Sequence, residues 1–188
     1  MAIVGSLAAT GRSAARRTAV HGCLLLALLF AATAAFAAGQ PEYRVKAAFL
    51  YNFALLTQWP DSPSAALQLC VHGDDPFGAE LDGLRGKPVG ARSIVVRRAV
   101  ARDALAGCQL VFVASSAIGD LPGVLDALRG STALTVADSP GAARRGVAVN
   151  LVAADDEHIG FEVNLRAAQA ARLVLSSKLL RLAREVQP

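Results

Sequence analysis

Only five residues, Ala153 to Glu157, separate the apolar run Val147–Val152 from the alternating run His158–Val163. Both runs have strand character, and five residues cannot hold the crossover that parallel neighbours require. This pair must therefore be an antiparallel hairpin, turned through Ala154-Asp155-Asp156-Glu157. Upstream the spacing is different. Leu67–Val71, Ser93–Arg97, Gln109–Ala114 and Ala133–Val136 are short apolar runs, separated by segments long enough for crossovers. Strands alternating with helices give an α/β fold: a mainly parallel sheet with an antiparallel edge hairpin, flanked by helices.

The helices are set by periodicity and punctuation. In 42–56, Val45, Phe49, Phe53 and Leu56 recur at helical spacing, and Pro60 and Pro63 follow the end. Asp75 is placed as an N-cap with Pro76 at the first helical position, opening a helix to about Gly83. A short helix is expected over Arg102–Ala106, and another over Ile118–Leu128, stopped by Gly130. Leu165–Leu175 and Lys178–Val186 read as closing helices, with Leu179, Leu182 and Val186 as the buried stripe of the last.

The first 38 residues read as a secretory signal peptide and 39–188 as one domain. Arg12, Arg16 and Arg17 precede the apolar run Cys23–Ala38, and no acidic residue occurs before Glu42. Ala35-Phe36-Ala37 has the small-x-small form of a cleavage site, placing the cut near Ala37 or Ala38 and the mature protein in the periplasm. The stretch Leu24–Phe30 is far shorter than the ~20 apolar residues of a spanning helix, so no stable membrane insertion is expected after cleavage.

Cleavage changes the charge argument. The chain has 19 Lys and Arg against 15 Asp and Glu. Three of the basic residues leave with the signal, so the mature chain is nearly neutral. No basic stripe is left for phosphate contacts, which argues against nucleic acid as a partner.

Chemistry-bearing residues are few. Asp74 and Asp75 stand at the carboxyl end of the first strand, where open α/β sheets place ligands; a turn with a helix cap accounts for them. His72, Asp74 and His158 can be imagined as a metal set. His158 shares its strand face with Glu162 and Asn164, which is the pattern of a solvent face, so no metal or other cofactor is expected. Ser115 and Ser116 end the third strand without a GxSxG elbow, and neither mature histidine has an identifiable carboxylate orienter. GxGxxG and phosphate-loop motifs are lacking. The reading is of a protein that is not an enzyme.

Two mature cysteines remain, Cys70 and Cys108. An even pair in an oxidising compartment is a disulfide candidate, and buried free thiols are the alternative. Strand register favours the alternative, because Cys70 is near the end of its strand and Cys108 just before the start of its own. Parallel neighbours in simple register would hold them beyond the roughly 4.4–6.8 Å between Cα atoms that a bridge requires.

Four segments together resemble one family. They are Val45-Lys46-Ala47-Ala48-Phe49-Leu50-Tyr51-Asn52-Phe53 leading to Trp59-Pro60, and Leu69-Cys70-Val71-His72-Gly73-Asp74-Asp75-Pro76-Phe77-Gly78. The others are Gly107-Cys108-Gln109-Leu110-Val111-Phe112-Val113, and Phe161-Glu162-Val163-Asn164-Leu165 running into Ser176-Ser177-Lys178-Leu179-Leu180-Arg181-Leu182-Ala183. In order and spacing they resemble the YfiR-like periplasmic family over nearly all of the mature chain.

The resemblance implies a non-enzymatic regulator that holds the periplasmic part of an inner-membrane diguanylate cyclase inactive, lowering cyclic di-GMP and biofilm formation. Sensor kinases and outer-membrane receptors, beside which family members also sit, are other partners it allows, and it implies a compact α/β fold with a tendency to form homodimers. It also implies a Cys70–Cys108 disulfide. A second cysteine pair of some members has no counterpart here, which removes the basis for redox control through it. The competing reading from another class is a periplasmic small-ligand-binding sensor or transport-associated receptor. Neither the partner-binding residues nor the partner's identity can be read from the sequence.

Overall fold

A computed structural model describes residues 41–60, 64–153 and 158–188, all within the unit Gly39–Pro188. The expected cleavage site, Pro63 and the turn Ala154–Glu157 lie outside the described residues.

In chain order the elements are α1 (Pro41–Leu56), β1 (Thr57–Gln58), β2 (Ala66–His72), β3 (Pro88–Val89), β4 (Arg92–Arg97), β5 (Leu110–Val113), α2 (Leu121–Ala127), β6 (Leu134–Ala137), β7 (Val149–Ala153), β8 (Ile159–Asn164), α3 (Leu165–Ala170), β9 (Val174–Leu175), α4 (Ser177–Leu182) and β10 (Glu185–Gln187). Short 3-10 helices span Gly78–Leu84, Arg102–Gly107 and Ser115–Asp120. Among the described residues no helix is long and apolar enough to cross a membrane.

Every residue of β5 and β6 is buried. Strands apolar on both sides must be covered on both faces, and two apolar clusters do this. Leu67, Leu69, Leu110, Phe112 and Val136 face α1 and the 3-10 helix Gly78–Leu84. Cys70, Val111, Val113 and Ala137 face Leu105, Cys108 and α2.

The sheet order is β10-β8-β7-β6-β5-β2-β4-β3. β4, β2, β5, β6 and β7 run parallel, while β3–β4 and β7–β8 are antiparallel. The hairpin pairs Val149 with Val163 and Ala153 with Ile159, as the short connection demands. From β2 the chain steps out to β4 and then crosses back to β5. The strand order thus reverses between β2 and β5, the place where doubly wound sheets put their ligands.

The C-terminal segment departs from expectation. The helix expected over Leu165–Leu175 stops at Ala170 because Arg172 adopts a left-handed φ of 58°. Arg172 N then donates to Gln169 O and Leu173 N to Ala168 O, the bond pattern of a Schellman stop. Glycine usually fills that position, so nothing in the sequence marked the stop. Val174 and Leu175 instead pair antiparallel with Gln58 and Thr57.

The last helix is similarly short. Ser176 Oγ caps it by accepting Leu179 N, but it ends at Leu182, and Glu185–Gln187 joins β8 as a parallel strand. Leu179 is buried, whereas Leu182 is 63% exposed and Val186 38% exposed. The expected buried stripe therefore reduces to Leu179. Backbone pairing with Glu162–Asn164 replaces about one further helical turn.

Other boundaries shift less. Asp75 does accept Phe77 N through Oδ1, but the 3-10 helix begins only at Gly78 and carries no side-chain cap. The helix expected from Ile118 starts as a 3-10 segment and becomes α-helical at Leu121, with Pro122 in its first turn.

Candidate functional site

α1 is apolar nearly all round, and this creates the most distinctive surface. The stripe expected to face the core held Val45, Phe49, Phe53 and Leu56. The buried set is instead Lys46, Ala47, Leu50, Phe53 and Ala54. Periodicity could not choose between two apolar faces. Val45 and Leu55, both 45% exposed, lie on the face left open, with Phe49, Asn52 and Leu56 between them.

That open face forms one wall of a groove of about 250 Å³ against α4. Phe49, Phe53 and Phe161 make its floor, with ring centroids 5.1–5.7 Å apart. Leu55, Leu56 and Leu182 form the rims, and Lys178 and Asn52 supply the polar edge. A second depression, of about 500 Å³, begins on the other side of Leu55 and runs past Trp59 to Arg92. The Arg92 guanidinium lies 5.7 Å from the Trp59 ring. Clustered exposed leucines beside an aromatic floor are what a docking surface presents. The groove is smaller than the roughly 300–1,000 Å³ typical of small-molecule sites.

Its charge is one-sided. Residues 43–60 and 164–184 contain Arg44, Lys46, Arg166, Arg172, Lys178, Arg181 and Arg184, and no Asp or Glu. Arg44 pairs with Glu80 at 3.6 Å. Arg166 and Arg172 donate to the carbonyls of Pro188 and Gly130. Among the described residues Lys178 and Arg181 have no partner, and both are exposed.

The crevice at the strand-order reversal is filled by protein. His72 and Gly73 end β2, and the 3-10 helix Ser115–Asp120 leaves β5 beside them. Asp74 N donates to Ser116 Oγ at 2.9 Å. A Cβ on Gly73 would lie 2.8 Å from Ala117 Cβ and 2.9 Å from Ser116 Oγ, so the two loops touch at van der Waals limits. His72 Nδ1 meets Val100 O at 2.8 Å, and Nε2 lies 3.6 Å from Asp120 Oδ2.

His72 therefore does have a carboxylate beside it, contrary to the sequence reading. Asp120 lies 48 positions along the chain and is brought there by the fold. His72 Nδ1 is engaged by Val100 O and Ser116 Oγ is held by the Asp74 amide, so these groups fasten the loops to each other. Arg102 adds a 2.7 Å bond to Asp120 Oδ1. Asp75 is held at 2.5 Å by Arg98, which also bonds Asp82.

The suggested metal set is not assembled. His158 is exposed and immediately precedes β8, four strands from β2, or about 19 Å at ordinary strand spacing. It was expected on an edge strand, but β10 pairs outside β8. Among the described residues no group of three or more His, Cys, Asp or Glu is placed to hold a metal ion.

Cys70 and Cys108 are joined, with Cα atoms 6.0 Å apart. The register objection fails because Cys108 is not in the ladder. Pairing starts at Gln109, whose N–H donates to Gln68 O. Cys108 closes the 3-10 helix Arg102–Gly107, which lies over the face that carries Cys70, and reaches the bond from above the sheet.

A second buried polar group ties α1 to the sheet. Lys46 Nζ bonds Asp138 Oδ2 at 2.7 Å and Glu42 Oε1 at 2.5 Å, and Tyr43 OH donates to the same Asp138 oxygen. Burial alone would depress the Lys46 ammonium, but the bonds to Asp138 and Glu42 outweigh it and raise its pKa above the ordinary value. Burial and the Asp138 charge likewise raise the Tyr43 phenol.

The fold and its surface define a class: an α/β domain of 2-1-3-4-5 core strand order, stapled by one disulfide, with a closed ligand crevice and an open apolar, basic groove. The family model described as YfiR/HmsC-like matches residues 43–184. The chain belongs to the YfiR/HmsC-like family. No curated protein matches it. Among solved structures it is similar to a conserved domain protein from Vibrio cholerae O1 biovar El Tor, at 11% identity and a TM-score of 0.47, covering 65% of this chain and 55% of that one. It is also similar to an ABC domain in complex with L-Trp from Streptococcus pneumonia, at 10% identity and a TM-score of 0.44, covering 64% and 54%. The chain thus spans about half the length of each.

Proposed function

We propose that this is a periplasmic regulatory protein that binds and inhibits an inner-membrane signalling protein of the diguanylate cyclase type, restraining cyclic di-GMP and biofilm formation. The observation that carries the proposal is membership of the YfiR/HmsC-like family across residues 43–184. The N-terminal 38 residues act as a cleaved export signal, and the Cys70–Cys108 bond suits an oxidising compartment. The groove between α1 and α4 is the docking surface, since it combines exposed leucines with Lys178, which has no partner among the described residues. The filled strand-end crevice weighs against the small-ligand sensor reading.

The test is a pull-down from solubilised inner membranes with the exported protein as bait, followed by a cyclase assay with the captured protein. Capture of a membrane cyclase whose activity falls on adding the bait is the expected result. Failure to capture any membrane signalling protein would contradict the reading.

A further inference from the structure

We infer that the groove takes an amphipathic helix of the partner in which an apolar stripe is flanked by carboxylates. This rests on the regulatory reading above and names the chemistry of its partner. Three observations carry it.

The first is shape. From Phe49 to Leu56 the α1 wall runs two helical turns, about 10 Å. This is the span of anchors at i, i+3 or i+4, and i+7, the spacing by which a helix enters a groove. The floor of Phe49, Phe53 and Phe161 is aromatic, with Leu55 and Leu182 open at the rim.

The second is charge. Lys178 is the one charged side chain among the described residues lining the groove, and the segments 43–60 and 164–184 that build most of it hold no acidic residue. Among the described residues Lys178, which lines the groove, and Arg181, one turn from it, are left without partners. Carboxylates beside the apolar stripe of an incoming helix would complete them.

The third weighs against self-pairing. A two-fold contact would set the same patch against itself, bringing Lys178 and Arg181 against like charges, and such juxtaposition is costly. A flat bilayer has no convex feature to reach the Phe161 floor.

The probe is an 18-residue helical peptide with leucines at i, i+3, i+4 and i+7 and glutamates flanking them, compared with its lysine counterpart. The acidic peptide should bind the purified protein at least tenfold more tightly than the basic one, and added salt should weaken it. Leu182→Asp and Lys178→Glu should each reduce binding at least tenfold with unchanged melting temperature. Both positions are exposed, so either variant serves if the other fails to fold.

Equal affinity for the two peptides, no binding of either, or full binding by both variants would overturn the inference. So would binding to phosphatidylglycerol vesicles, or dimerisation in sedimentation, that Leu182→Asp abolishes while acidic-peptide binding is unaffected. A membrane cyclase captured equally by wild type and Leu182→Asp would overturn only the groove assignment. No capture by either would instead count against the regulatory reading, whatever the peptides show.

Discussion

Lys46 and Asp138 are 92 residues apart in the chain and 2.7 Å apart in space. Their side chains are only 7% and 4% exposed, so α1 is fixed to the carboxyl end of β6 by an ion pair that water barely reaches. Among the described residues Asp138 Oδ1 has no hydrogen-bond partner, which leaves the carboxylate dependent on Lys46 and Tyr43. Lys46→Met should destabilise the protein by about 3–5 kcal/mol, because it strands a buried charge. Adding Asp138→Leu should recover most of that loss. Urea unfolding of the single and double variants measures both, and a single-variant loss below about 1 kcal/mol would show that the pair is incidental.

The same cluster fixes an alkaline limit. Folding raises Lys46 above its ordinary 10.5 and Tyr43 above its ordinary 10.0. Groups raised in the folded state contribute stability that is full below those ordinary values and is lost as pH climbs through the raised ones. The stability this cluster contributes should therefore be full and independent of pH near neutrality and fall steeply above about pH 10. In Lys46→Met, melting curves between pH 8 and 11.5 should show a shallower alkaline limb than wild type.

The Cys70–Cys108 bond encloses a sequence separation of 38, for which chain entropy gives about 4 kcal/mol. Thiol counting on denatured, unreduced protein should find none free. Since both cysteines are buried, at 0% and 2% exposure, reductant should act slowly on the native domain. Once reduced, the protein should melt roughly 10 °C lower. Two free thiols, or identical melting curves, would show that the pair is only core packing.

Gly73 tests whether the strand-end crevice is closed. Its φ is +91°, and a Cβ there meets Ala117 and Ser116 below 3.0 Å. Gly90 also has positive φ, 60°, but nothing within 4 Å. Gly73→Ala should cost clearly more than the roughly 1–2 kcal/mol of left-handed strain expected at Gly90→Ala. Equal losses in urea unfolding would mean that the loops are not in contact.

The sheet was legible because its strands are short apolar runs between breakers, and the hairpin because its connection is too short for anything else. The end of the chain was not. Arg172 stops a helix in a conformation usually left to glycine, and Glu185–Gln187 is a strand only because β8 offers an edge. Both outcomes belong to tertiary structure, and the local pattern of Ser177 to Val186 continues to read as helix. The groove was hidden by the feature that makes it, an α1 apolar on two faces. A usable signal was nonetheless present in the lack of any acidic residue over 43–60 and 164–184. The His72–Asp120 and Lys46–Asp138 contacts join distant segments, and no spacing rule reaches them.

The central claim, that this chain restrains a membrane signalling enzyme through the α1–α4 groove, is tested most directly by cyclic di-GMP measured in a deletion strain and its complements. Deletion should raise cyclic di-GMP and surface attachment, and the wild-type gene should restore both. Leu182→Asp, exported to the same level and folded with an intact Cys70–Cys108 bond, should fail to restore either. Unchanged cyclic di-GMP on deletion, under several growth conditions, would contradict the account, and full restoration by Leu182→Asp would remove the groove from it.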